Sequence, residues 1–218
     1  MKLLLTSGGV TNPRIRAGLV EMLGKPIEES TALYIPTAQY GHPQCTPELT
    51  LRCAGGADSM TALGWKSVGL LELTALPSMG ERWIPWVERA DALLVDGGDA
   101  TYLAHWIRAS GLFAVLPRLS ETVWVGISAG SMVMTPRIGP EFVRWGGSET
   151  GDRTLGLVDF TIFPHLDYPD FPENTLAHAR SWAEGMDGPA YAIDDQTAIR
   201  VVGADVDVIS EGHWERLE

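Results

Sequence analysis

Short apolar runs ending in Gly, Pro or Asp alternate with longer amphipathic stretches along the chain. The runs at 3–6, 32–35, 68–71, 92–95, 123–127 and 160–163 are too brief for helices and too continuously apolar for half-exposed strands. They predict strands buried on both faces, as in a parallel sheet covered by helices. The intervening stretches predict helices over 13–23, 47–63, 82–89, 101–109 and 173–184. The first opens on Asn12-Pro13, an N-cap residue followed by proline at the first helical position. From Tyr191 onward, segments 191–195, 197–202 and 206–209 are separated by turn-like residues and read as antiparallel strands added to the main sheet. Strand and helix in alternation predict an α/β fold, a three-layer αβα sandwich with a mostly parallel sheet. No repeat, low-complexity tract or long linker interrupts the pattern, so residues 1–218 read as a single domain.

Composition narrows the function classes. The chain is 45% hydrophobic and 20% charged, which suits a packed globular core. A formal charge of −12 argues against a broad nucleic-acid or anionic-membrane surface. An acidic ligand would need a local cation. Cys45 and Cys53 are too few for a disulfide framework, and their surroundings carry no metal-ligand spacing. The apolar run at 3–5 is too short for a signal-peptide core, and no stretch approaches the roughly 18 apolar residues of a membrane span. A soluble, cytoplasmic protein without metal or organic cofactor is the expectation.

The segment Gly126-Ile127-Ser128-Ala129-Gly130 follows the strand at 123–127 and precedes a short apolar helix. This is the G-x-S-x-G pattern of a nucleophile elbow. Its small residues permit a tight turn that exposes the Ser128 hydroxyl and aims the Ala129 N–H at a developing oxyanion. A second glycine-rich strand exit, Asp96-Gly97-Gly98-Asp99, would let the backbone at Gly98 approach a reacting carbonyl as a second oxyanion donor, with a plain strand-to-helix turn as the alternative. Asp99 or Thr101 would cap the helix that follows.

A serine hydroxyl needs a base, and His is the usual one near neutral pH. His165 stands just beyond the strand at 160–163, on the rim expected for Ser128, whereas His105 and His178 fall on helices and His42 and His213 in loops. The acid that orients the imidazole is expected between nucleophile and base in chain order, which favours Glu141, with Glu149, Asp152 and Asp167 as competitors.

With these residues in place, the chain resembles the peptidase E (aspartyl dipeptidase) family of serine peptidases, whose fold is that of class I glutamine amidotransferases. The likeness rests on Gly97-Gly98-Asp99, Gly126 to Ser131 and Phe163-Pro164-His165, in that order. It implies Ser128 as nucleophile, His165 as base, Gly98 and Ala129 as the oxyanion hole, and an acidic residue near Glu141. Founding members cleave dipeptides with N-terminal aspartate, which implies substrate-binding roles for Arg180 and for Asp99, the latter standing where relatives carry Asn. The cyanophycinases share the fold and a Ser-His-Glu site. A short peptide substrate and a homodimer are further implications; Trp83 and Trp86 form a candidate apolar interface, with burial in the core as the alternative.

Overall fold

The computed structural model describes residues 1–218. The main sheet collects β1 (Lys2–Thr6), β2 (Thr31–Ile35), β3 (Ser67–Leu70), β4 (Ala92–Val95), β5 (Val123–Ile127), β8 (Thr197–Val202) and β9 (Asp205–Ser210). Its strand order is β3-β2-β4-β5-β1-β8-β9. The five strands from β3 to β1 are parallel, and β8 and β9 add an antiparallel edge.

Alternate residues of the central strands enter two separate cores. Leu3, Leu5, Leu93, Val95 and Trp124 face one layer, and Leu4, Ala92, Leu94, Val123 and Val125 face the other. Such double-sided burial explains why these strands lack the apolar-polar alternation of a half-exposed sheet. Helix α1 (Pro13–Leu23) covers the second face through Ile15, Leu19 and Met22. Asn12 caps it by accepting a hydrogen bond from the Ile15 N–H at 3.0 Å. On the first face lie α3 (Ile84–Glu88), α4 (Ala100–Ala109), α5 (Leu112–Val115) and α6 (Ala129–Met132), contributing Val87, Leu103, Ile107, Leu112 and Met132. The result is the expected three-layer α/β sandwich with a mostly parallel sheet.

Several local expectations change. The helix expected over 47–63 stops early: α2 spans Pro47–Gly55, where paired Gly55-Gly56 breaks it. The run at 160–163 becomes β6 (Thr161–Phe163), which leaves the main sheet. It pairs in parallel with β7 (Ala190–Ile193), which pairs in turn with β10 (Trp214–Leu217). Segment 191–195 therefore builds a second, three-stranded sheet rather than extending the first. Helix α7 (Leu176–Ala183) packs on it through Ala179 and Trp182. Trp83 is buried in the core, whereas Trp86 is half exposed. No helix is long and apolar enough to cross a membrane.

Three adjacent central strands, β4, β5 and β1, end at one rim. Their exits carry Gly97-Gly98, Ser128 and Ser7, and the antiparallel β8 brings the residues just before it to the same rim.

Candidate active site

Ser128 occupies the sharp turn between β5 and α6 with φ 48° and ψ −109°, outside the regions open to an ordinary side chain. The turn is held by the surrounding backbone. The Ser128 N–H donates to the Thr6 carbonyl at 3.0 Å, and the Ser128 carbonyl accepts from the Ser131 and Met132 N–H groups at 2.8 Å each. Ser131 Oγ donates to the same Thr6 carbonyl at 2.7 Å. Both flanking glycines are sterically required. A Cβ on Gly126 would strike the Gly130 carbonyl, and one on Gly130 would strike the Val95 carbonyl.

The β4 exit lies against this turn. A Cβ built on Gly97 would come within 3.6 Å of the Ser128 Cβ. Gly98 has φ 139° and packs so closely on the Ala38 carbonyl that any side chain would collide with it. The Gly98 N–H has no acceptor within the protein. Asp99 is wholly buried and its carboxylate is fully engaged. Its Oδ1 accepts from the Tyr102 N–H at 2.7 Å and Thr101 Oγ at 2.6 Å, capping α4, while Oδ2 accepts from the Arg144 and Trp145 N–H groups at 2.6 and 2.7 Å. The helix-capping expectation fits this geometry; the substrate-binding one does not, because no oxygen is left facing a ligand.

His165 follows β6 with φ 57°, a left-handed conformation rare for a residue with a side chain. Its Nδ1 lies 2.8 Å from Asp195 Oδ1. Burial works against ionising Asp195, but the hydrogen bond and charge of His165, with a further bond from Ser7, hold its carboxyl below the usual carboxylate range. The expected acid, Glu141, is instead exposed on a single 3-10 turn at Pro140–Phe142 and does not bond to the imidazole. Its competitors are also elsewhere: Asp152 pairs with Arg137 at 3.0 Å, Asp167 bonds to His213 at 2.8 Å, and Glu149 is exposed. The placement of Asp195 has a topological cause. Strands β6 and β7 run parallel side by side, so the end of β7 delivers Asp194-Asp195 next to the end of β6 and His165.

Ser7 links the halves of the site. It follows Thr6, which pairs with Ile127, so Ser7 and Ser128 are successors of paired residues on adjacent parallel strands. Ser7 Oγ donates to Asp195 Oδ1 at 2.7 Å and accepts from the His165 N–H at 2.7 Å. Neither Ser7 nor Asp195 was picked out by sequence reasoning. The available signal was that both stand at strand exits, in Ser7-Gly8-Gly9 and Asp194-Asp195.

Arg180, expected at the substrate, is spent on the surface: its guanidinium contacts the Glu215 carboxylate at 2.8 and 3.1 Å. A cleft of about 470 Å³ opens beside the elbow, lined in part by Ile127, Asp96, Tyr34, Arg52 and Asp58. Arg52 makes no ion pair there.

Among solved structures, a candidate peptidase E protein from Listeria monocytogenes EGD-e is 21% identical, with a TM-score of 0.73 over 97% of this chain and 98% of that one. A peptidase from an acI-B1 Actinobacterium is 18% identical, with a TM-score of 0.69 over 98% of this chain and 88% of that one. These likenesses carry the fold, the class I glutamine amidotransferase-like α/β architecture. No curated protein is significantly similar. Residues 3–209 match the model of peptidase family S51, and over that span, nearly its whole length, the chain belongs to that family.

Proposed function

We propose that this S51 member is a serine peptidase acting on short peptides, with Ser128 as nucleophile, His165 as general base and Asp195 as the orienting acid. The observation that carries the reading is the His165–Asp195 hydrogen bond, at the rim where β5 ends in a serine held at φ 48°; Ser128 Oγ itself makes no hydrogen bond to the imidazole.

In this reading Asp195 keeps the imidazole proton on Nδ1, leaving Nε2 to take the hydroxyl proton as Ser128 Oγ attacks the scissile carbonyl. The N–H groups of Gly98 and Ala129 stabilise the oxyanion. His165 then returns the proton to the departing amine, and water, deprotonated by the same nitrogen, releases the acyl group. The cleft of about 470 Å³ reaches the elbow only at Ile127, with neither Ser128 nor His165 in its lining, and is of a size suited to a small ligand. Arg52 gives that cleft a cation for an acidic N-terminal residue.

The test is labelling of the folded protein with a fluorophosphonate, followed by mass identification of the modified peptide. The reading expects the label on Ser128 and loss of dipeptide hydrolysis in Ser128→Ala. Absence of label, or undiminished hydrolysis in Ser128→Ala, would overturn it. Faster turnover of simple esters than of peptides would reassign the same triad to an esterase.

A further inference from the structure

We infer that Ser7 is a positioning residue, which fixes His165 and Asp195 relative to each other and to the elbow. The inference rests on the serine peptidase reading of the site. A hydroxyl has one proton to donate and two lone pairs to accept with. Two are used here: the proton goes to Asp195 Oδ1 at 2.7 Å and a lone pair accepts the His165 N–H at 2.7 Å, while His165 Nδ1 lies 3.3 Å away with its own proton directed to Asp195.

The contacts join three separate elements. Ser7 extends β1, which lies between the nucleophile strand β5 and the antiparallel β8 that follows Asp195. His165 comes from the other sheet and holds a left-handed backbone, a conformation that persists only where neighbours fix it. Ser7 accepts the N–H of that same residue. The next position completes the seat, because a Cβ on Gly8 would come within 2.7 Å of Asp195 Cβ. Only a residue without a side chain lets Asp195 lie across the end of β1.

Ser7 is not a second nucleophile. It meets Nδ1, the nitrogen that also faces Asp195, whereas the base that activates a nucleophile uses the opposite nitrogen. Its proton is already committed to the carboxylate.

The experiment compares Ser7→Ala, which removes the hydroxyl, with Ser7→Cys, which fills the same space with a poor hydrogen-bonding group. Two quantities are read: kcat and KM on a dipeptide, and the NMR signal of the His165 imidazole Nδ1–H, which needs no substrate. A positioning role predicts that kcat falls by about ten-fold or more in both variants, as for loss of a hydrogen bond to a charged group. KM should stay within about two-fold, because ground-state binding is untouched. The Nδ1–H signal should broaden through exchange with water. Full kcat in Ser7→Cys would assign Ser7 to packing alone, and an unchanged Nδ1–H signal in Ser7→Ala would also overturn the inference. Failure of the peptidase reading would appear separately, as unchanged hydrolysis in Ser128→Ala, with the imidazole signal still reporting on Ser7.

Discussion

His165 Nδ1 meets Asp195 Oδ1 at 2.8 Å, joining the end of β6 to the end of β7. Replacing the carboxylate by an amide of the same shape should leave the fold intact and present the imidazole in the wrong tautomer. Asp195→Asn is expected to lower kcat by roughly 10⁴, the scale of the corresponding change in a serine protease triad. Glu141→Gln, altering an exposed side chain, should leave kcat within about two-fold. Steady-state kinetics with circular dichroism as the folding control distinguishes the two acids.

The contrast between Glu141 and Asp195 marks the limit of what was legible in the sequence. The strands at 3–6, 92–95 and 123–127 were readable because burial on both faces forces continuous apolar runs, and Ser128 because its elbow needs glycines at fixed offsets. Which sheet a strand joins depends on distant partners, so the placement of β6 and β7 in a second sheet left no local trace. Ser7 and Asp195 are 188 residues apart and meet only through the pairing of β1 with β8. The carboxylate bonded to His165 comes from the end of a parallel strand pair rather than from the segment after the elbow.

Asp96 and Asp195 respond to pH with opposite sign. Burial raises the Asp96 carboxyl above its usual range against the hydrogen bonds of Tyr34, Gly97 and Gln39. The folded state therefore binds its proton more tightly than the unfolded chain, and stability falls as pH rises from the unfolded value through the higher folded one. Asp195 is held low, so its contribution is present above the ordinary carboxylate value of about 3.9 and is lost as pH falls through the lower folded value. Asp96→Asn should accordingly raise Tm at pH 7 and lose much of that advantage near pH 4. With the Gln39 amide turned over, the new N–H would also reach its buried Oε1, which lacks a partner. Calorimetry at the two pH values checks the crossover.

Two glycines with positive φ should differ in their tolerance of alanine. Gly24 caps α1 at φ 70° with no atom within 4 Å of a new Cβ, so Gly24→Ala meets only backbone strain, about 1–2 kcal/mol. Gly98→Ala meets the same kind of strain and drives its methyl into the Ala38 carbonyl, which cannot move without displacing the segment behind it. A loss exceeding that of Gly24→Ala by about 2 kcal/mol or more is expected in urea unfolding, together with loss of hydrolysis as the oxyanion donor shifts.

If an acidic substrate places its N-terminal residue in the cleft that Ile127 borders, selectivity for it should depend on Arg52 rather than Arg180. Arg180 is exposed and paired bidentately with Glu215, and exposed pairs of this kind contribute at most about 1 kcal/mol to stability. Arg52 lines the cleft beside Ile127 and has no carboxylate partner. Asp58 and Asp96 line the same cleft, so a substrate carboxylate entering it would depend on Arg52 to offset their repulsion. Arg52→Ala should lower kcat/KM for Asp-X relative to Ala-X dipeptides by about 10-fold to 100-fold, the loss of one hydrogen bond to a charged group. Arg180→Ala should leave that ratio unchanged. Because the ratio cancels differences in active enzyme, it reports on recognition alone: a fall in Arg180→Ala and none in Arg52→Ala would return the role to α7 and require Glu215 to release its partner when substrate binds.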